Sequence, residues 1–365
     1  MEFHDLLRAQ VQHRASDLFI KVGSAPSIRV DGKIKFLKSD EITPQKTLEI
    51  FEILEESKRE GFKDQPEIDA SYDLPGIGRF RVNIYRERGY TSFVFRHVQA
   101  KIPNFEDLSI PEGPLTKLAS LQRGLVLVTG VTGCGKSTTL AAMVNYINEH
   151  FAKHVVTIED PIEYTFKDKR SIISQREIGV DTQDFYYALK YCVRQSPDVI
   201  MIGEMRDKET MEAAIAAAET GHLVLSTLHT INAQQTIERI INFFPPHQHQ
   251  LIRLQLSMIL EGVISQRLLP RKGQTGRIPA VELMMRSPTI QDILLEGRTN
   301  ELYKVIKEGE YFGSQTFNRS LRQLYQNDLI TLEDAMSAAD NPEELKMELK
   351  GIVKGTRTTD FDFNF

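Results

Sequence analysis

Gly130-Val131-Thr132-Gly133-Cys134-Gly135-Lys136-Ser137 follows an apolar run at 125–129 and precedes a helical pattern at 137–149. In that setting it matches in full the glycine-rich loop that cradles phosphates. The glycines let backbone N–H groups close around phosphate oxygens, and the positive end of the following helix points at the same place. Lys136 then bridges the terminal phosphates and the Ser137 hydroxyl ligates Mg2+. The expected nucleotide-binding set is Gly130, Thr132, Gly133, Cys134, Gly135, Lys136, Ser137 and Thr138, with ATP and Mg2+ as the ligands. Cys134 fills a variable position, where the backbone does the binding, and reads as a tolerated small residue.

Three other strand-like runs end in polar groups, as expected where ligands of open α/β sheets bind beyond the carboxyl ends of the strands. Residues 155–158 are followed by Glu159, Asp160 and Glu163, 199–202 by Glu204, and 223–228 by His229. Carboxylates in such a crevice hold the metal through water or orient the attacking water. The residues alone leave these roles open among the four acids. His222 and His229 bracket the fourth strand at a spacing unlike that of a metal-binding pair. His229, at the strand end, is in the better place to sense a γ-phosphate; for His222 a structural role is as good a reading.

These groups need elements to hold them. Strands alternating with helices from residue 115 to 286 predict a parallel sheet with crossover helices. Before it, residues 1–100 read as a small mixed α/β unit: a helix at 3–11, a strand at 18–22, a hairpin at 26–37 turning on Asp31-Gly32, a helix at 48–54, and strands at 79–85 and 91–98. Pro103, Pro111, Gly113 and Pro114 mark 101–114 as a linker. Residues 287–350 are expected to be helical, at 289–296, 317–326 and 331–339 among others. The polar tail 351–365 is expected to be flexible, despite the alternation of Phe361, Phe363 and Phe365.

A chain of 365 residues exceeds what one core usually serves, so two or three domains are expected. The net charge of −5 counts against a standing nucleic-acid or anionic-membrane partner. Two cysteines, Cys134 and Cys192, support neither a disulfide framework nor a zinc site. With no leader and no apolar run long enough to span a bilayer, a cytoplasmic protein is expected.

Taken together, the phosphate loop, Thr157-Ile158-Glu159-Asp160-Pro161-Ile162-Glu163, Arg194 through Gly203-Glu204-Met205-Arg206, and Gly221-His222-Leu223 through His229-Thr230 resemble the Walker A, Asp box, Walker B and His box of the secretion ATPase superfamily. Ser16-Asp17-Leu18 and Gly78-Arg79-Phe80-Arg81-Val82-Asn83 extend the resemblance into the first domain. It implies an N-terminal PAS-like α/β domain before a RecA-like P-loop ATPase domain with a helical C-terminal part. It also implies a homohexamer in which Arg81 and Arg96 reach a neighbour's nucleotide, Glu163 orients or deprotonates water, and Glu204 holds Mg2+ through its water shell.

Without a tetracysteine insertion or extra N-terminal domains, the chain is similar to the retraction branch, the PilT and PilU proteins, and somewhat nearer PilU. That implies an ATP-hydrolysing motor powering retraction of type IV pili in twitching motility. Its partner would be the platform protein of the inner membrane, where the motor would sit peripherally. The branch carries a retraction motif, Ala-Ile-Arg-Asn-Leu-Ile-Arg-Glu; here Thr289 to Glu296 has Gln291 and Leu295 at the two arginine places. The departure makes an accessory ATPase, working with a sister retraction motor, the alternative reading. A RecA-like nucleic-acid translocase is the more distant one.

Overall fold

A computed structural model of the chain describes residues 2–30, 32–53, 62–63, 65–98, 102–274 and 276–350. Asp31 of the expected turn, the end of the expected helix at 48–54, Lys101 and the tail 351–365 lie outside the described residues. The chain divides into two compact units. One holds residues up to Lys101 together with Pro161–Thr165; the other holds Ile102–Asp160 and the chain from Phe166 onward.

The first unit is an antiparallel sheet of six strands, β1 (Asp17–Ile20), β2 (Ser27–Val30), β3 (Lys33–Phe36), β4 (Glu67–Leu74), β5 (Gly78–Glu87) and β6 (Tyr90–His97), in the order β3-β2-β1-β6-β5-β4. Strict alternation gives it two unlike faces. Leu18, Ile28, Val82, Phe93 and Phe95 point into a core that helices α1 (Phe3–Gln12) and α2 (Pro44–Ile53) cover with Phe3, Leu6, Leu7 and Ile50. On the other face Arg29, Asp17, Arg96, Arg81 and Ser71 stand directly opposite one another across five strands. Strand β4 has no counterpart in the sequence reading, although Ile68, Ala70, Tyr72 and Leu74 alternate toward the core with Glu67, Asp69, Ser71 and Asp73 between them.

The second unit contains a seven-stranded sheet in the order β13-β12-β7-β11-β10-β8-β9. Its strands are β7 (Gly124–Thr129), β8 (His154–Glu159), β9 (Ile172–Glu177), β10 (Val199–Ile202), β11 (Leu223–Leu228), β12 (Leu260–Pro270) and β13 (Arg277–Met285). All neighbours pair parallel except β12 and β13. Apolar clusters cover both faces. Every residue of β7 and β11 is therefore buried, and these strands read as continuous apolar runs. The runs expected at 125–129, 155–158, 199–202 and 223–228 are β7, which leads into the phosphate loop, and β8, β10 and β11 on one side of it; β9, β12 and β13 were not anticipated.

The expected linker at 101–114 is not one. Asn104 caps a helix, α3 (Phe105–Leu108), through a reciprocal capping box with Asp107, and α4 (Glu112–Ala119) follows at once. Phe105, Ile110, Leu115 and Leu118 are buried in the core of the second unit. The prolines misled because Pro111 precedes the helix and Pro114 falls in its first turn, where a missing N–H costs nothing. Nor do residues 287–350 form a body apart. Helix α10 (Pro288–Glu296) and α11 (Leu302–Glu308) join the main core through Ile293, Leu294 and Ile306, and α12 (Phe317–Gln326) packs Phe317 and Leu321 on Leu269 and Ile278 of the β12–β13 hairpin.

Candidate nucleotide site

The loop after β7 turns through Gly130, Gly133 and Gly135, at φ of +145°, +78° and +97°, and delivers Lys136 to the start of helix α5 (Lys136–His150). Gly130 is required twice over. Its φ is closed to most side chains, and a Cβ there would stand 2.4 Å from Cys134 Sγ and 2.6 Å from the Gln266 carbonyl oxygen. The Lys136 ammonium is folded back onto the loop, donating to the carbonyl oxygens of Gly130 at 2.9 Å and Val131 at 3.1 Å. Cys134 is buried, which raises its thiol pKa and suits a packing role.

Register fixes what lies beside the loop. Leu228 pairs with Thr129, so His229 leaves its strand level with Gly130. Ile202 pairs with both Ser226 and Ile158, which brings Gly203-Glu204 and Glu159-Asp160 to the same end of the sheet. Neighbouring strands lie about 4.8 Å apart, so Glu204 is about 10 Å along the crevice from the loop. Gly203 permits this crowding; its Cβ would already touch the Ile158 carbonyl oxygen at 3.4 Å.

The Glu204 carboxylate, largely shielded, is gripped by Arg206 and meets His229 Nε2 at 3.2 Å. The hydrogen bond to Glu204 raises the pKa of Arg206, as does the nearby charge of Asp160. Glu159 is buried and accepts from Thr157 Oγ1 at 2.6 Å and Gln175 Nε2 at 3.1 Å, so this carboxylate is held by its own strand and by β9. His222 lies at the other end of β11, beside Gly124, with Nδ1 2.9 Å from the Ala217 carbonyl oxygen. It is therefore one strand length, about 20 Å, from the phosphate loop and belongs to the end of helix α7 (Lys208–Glu219), not to the crevice.

Two residues of this crevice escaped the sequence reading. Arg206 stands two positions after Glu204 and could have been read as its partner. Gln266 gave no signal, since its strand was not recognised. It is buried on β12, and its Nε2 donates to Thr139 Oγ1 of α5 at 2.7 Å, which ties the loop's outgoing helix to the strand on its other side.

Arg81, Arg96 and Glu163 fall in the first unit. Arg81 and Arg96 are cross-strand neighbours; Arg96 Nε donates to Asp17 Oδ1 at 3.0 Å, and Arg81 Nη2 lies 3.4 Å from Asp69 Oδ2. Asp17 is itself buried and also pairs with Arg29 at 3.2 Å, so it orients two guanidinium groups along one face. A cavity of about 240 Å³ is lined by Arg81, Arg96 and His97 from the sheet and by Pro161, Ile162 and Glu163 from the short excursion. Desolvation lowers the pKa of His97, so its imidazole adds a neutral polar wall.

No group of three or more His, Cys, Asp or Glu residues that could hold a bare metal ion occurs among the described residues. A hydroxyl at a helix start with one shielded carboxylate fits instead a hard cation that keeps most of its waters, as Mg2+ does. Among the described residues no helix is long and apolar enough to cross a membrane.

Residues 79–331 match the family described as type II/IV secretion system protein. Over 351 residues, 96% of this chain and 92% of the relative, the sequence is 42% identical to the type IV pilus ATPase PilU of Pseudomonas aeruginosa. It is 40% identical over 344 residues, 94% of this chain and 99% of the relative, to the type IV pilus retraction ATPase PilT of the same organism. The crystal structure of the pilus retraction motor PilT with bound ADP superposes with a TM-score of 0.89 at 43% identity, covering 95% of this chain and 99% of that one. With the phosphate loop, the strand-end acids and the PAS-like first unit all in place, the chain belongs to the type II/IV secretion system protein family, a family of P-loop ATPases.

Proposed function

We propose that the protein is a hexameric motor that hydrolyses ATP and uses the energy to retract type IV pili. The observation that carries this reading is the intact phosphate loop and acid crevice in a chain similar to PilU and PilT over nearly their whole length. Hydrolysis joins a water oxygen to the γ-phosphorus, breaks the bond to the β-phosphate oxygen, and passes a proton to base or solvent. Catalysis of that step is mostly positioning and charge stabilisation.

In this reading the loop N–H groups and Lys136 bind the β- and γ-phosphates, the Lys136 ammonium exchanging its two carbonyl partners for phosphate oxygens. Glu163 orients the water or takes its proton. Glu204 is held in place by Arg206 and His229, and His229 reports the state of the γ-phosphate to β11. Mg2+, held by Ser137 and through water by Glu204, would neutralise charge on the phosphate oxygens. Arg81 and Arg96 act on a neighbouring subunit's nucleotide, so hydrolysis depends on ring closure; the basis is the motif match and the Asp17 pairing that holds Arg96 in a fixed direction. The motor would work in the cytoplasm against the platform protein of the inner membrane.

A second reading, an accessory ATPase that acts beside a sister retraction motor, is favoured by helix α10. At the two arginine places of the retraction motif, Gln291 donates to the Ser257 carbonyl oxygen at 3.0 Å and Leu295 exposes an apolar side chain. Two measurements test the proposal. The purified protein should turn over ATP in the presence of Mg2+, and a deletion strain should carry excess or persistent pili. Absence of turnover sinks the motor; normal pilus number and length sink the retraction role. Loss of retraction only when a sister motor is also weakened would select the accessory reading.

A further inference from the structure

Apolar clusters cover both faces of the seven-stranded sheet, yet three polar side chains stand in a row across it. Register sets Thr129 of β7 opposite Ser265 of β12, and Ser265 opposite Glu282 of β13. All three are buried. Thr129 Oγ1 donates to Ser265 Oγ at 3.0 Å, and the Ser265 hydroxyl hydrogen-bonds the Glu282 carboxyl. At its other end the row leaves the sheet, where Glu282 Oε1 accepts from the Ala233 N–H at 2.8 Å. Ala233 opens helix α8 (Ala233–Asn242), so its N–H is one that no turn of the helix can satisfy. The N-cap Asn232 gives its side chain to the Gln235 N–H, and the bond that fixes Ala233 comes instead from a carboxyl 49 residues away.

The row joins the two segments that flank the crevice. Gly130 of the phosphate loop follows Thr129 directly. His229 comes shortly before α8, and its neighbour Thr230 is buried, with Oγ1 2.7 Å from Thr236 Oγ1 of that helix. Leu228 in turn pairs with Thr129, so the contacts close a circuit from the loop through β12 and β13 to the start of α8 and back to β11. Stability alone gives little reason for such a row. Burial raises the Glu282 pKa to about 7, and replacing hydrogen-bonded partners by apolar groups of the same shape is often neutral or better. What a satisfied buried network adds over apolar packing is a single rigid arrangement. We propose that Glu282 is a positioning residue for ATP hydrolysis: through Ser265 and Thr129 on one side and Ala233 on the other, it holds the His229 segment in register with the phosphate loop. The inference rests on this crevice being the site of hydrolysis.

The test reads kcat and KM for ATP in the full chain, with sites counted by a fluorescent ADP analogue so that only folded protein enters the rate. Glu282→Met, close in size but without the carboxyl oxygens, should lower kcat per site at least about tenfold and leave KM within about threefold, because the loop backbone binds phosphate by itself while hydrolysis needs both segments. Glu282→Gln, able to accept from Ala233 and to hydrogen-bond Ser265, should recover to within about threefold of the unaltered protein. Ser265→Ala, the mildest cut in the row, should lower kcat about fivefold at unchanged KM; combined with Glu282→Met it should add no further loss, as for residues that act as a unit. Unchanged kcat in Glu282→Met or in Ser265→Ala would overturn the proposal. So would a Glu282→Gln protein no better than Glu282→Met, or a loss of nucleotide binding as large as the loss of kcat, which a loosened fold would give. Should Glu282→Met not fold, Ser265→Ala decides. Lys136→Ala tells the two levels apart: near-normal turnover there overturns the crevice and this inference with it, whereas inactive Lys136→Ala beside fully active Glu282→Met overturns this inference alone.

Discussion

In the parallel sheet of the second unit every residue of β7 and β11 is buried, and the groups with chemistry wait beyond the strand ends at Gly130, Glu204 and His229. In the antiparallel sheet of the first unit, Arg29, Asp17, Arg96 and Arg81 instead stand in mid-strand, in a row across one face. The reason is coverage. A parallel sheet carries helices on both faces and leaves only its ends for polar work, while an antiparallel sheet keeps one face open. A site made of strand ends is fixed by register and the backbone; a row across a face is fixed by which charge stands opposite which.

The sharpest break of this comparison removes the face row. Arg81→Ala with Arg96→Ala should cost on the order of 10³ in turnover, as loss of an arginine finger does. Mixing that protein with Lys136→Ala protein should return some turnover, because a subunit with an intact loop then receives arginines from its neighbour. If verified mixed hexamers recover nothing while each variant stays folded, the row does not act between subunits. Lys136→Ala attacks a strand end, and turnover should fall by at least about 3 kcal/mol of transition-state stabilisation, more than a hundredfold, with weakened nucleotide binding. Near-normal steady-state phosphate release would refute the crevice.

Glu163→Gln separates the two unit types more finely, since Glu163 leaves β8 but lies with the first unit. Hydrolysis should drop about a hundredfold while nucleotide affinity, read by a fluorescent analogue, stays within about twofold. Loss of Mg·ATP binding instead would mean that the roles of Glu163 and Glu204 are reversed, or shared with Glu159 and Asp160. The smallest effect concerns a carboxyl inside the parallel sheet. Glu282 on β13 is buried and accepts from the Ala233 N–H at 2.8 Å, and desolvation raises its pKa from 4.5 to about 7. A carboxyl raised on folding gives its full stability below the unfolded value and loses it as pH rises through the folded one. The melting temperature should therefore fall by a few degrees between about pH 5.5 and pH 8. Glu282→Gln, which keeps an acceptor for Ala233, should flatten that dependence; an unchanged slope would show that Glu282 is not its source.

Much of this molecule was readable in advance. The inner strands announce themselves because burial on both faces demands unbroken apolar runs, and the phosphate loop because its glycines answer to backbone geometry that few other residues satisfy. The failures have equally physical causes. Strands β12 and β13 carry buried Ser265, Gln266 and Glu282, whose polarity is compensated by partners distant in the chain, such as Thr129 for Ser265 and Thr139 for Gln266. Pro111 and Pro114 looked like breakers, yet proline at a helix start is harmless.

Residue types and their spacing were enough to determine that a glycine-rich loop of the phosphate-binding pattern follows β7 and which acids follow the neighbouring strands, because those properties are local to a strand, a turn and a helix start. They could not decide which candidates share a place. Only the pairing of β11 with β7 sends His222 to the far end of the sheet and leaves His229 beside Gly130. Only the packing of Pro161–Thr165 with the first unit assigns Glu163 there, while Glu159, four residues away in sequence, belongs to the second. Register and packing join residues far apart along the chain, and that information lies in contacts no local pattern encodes.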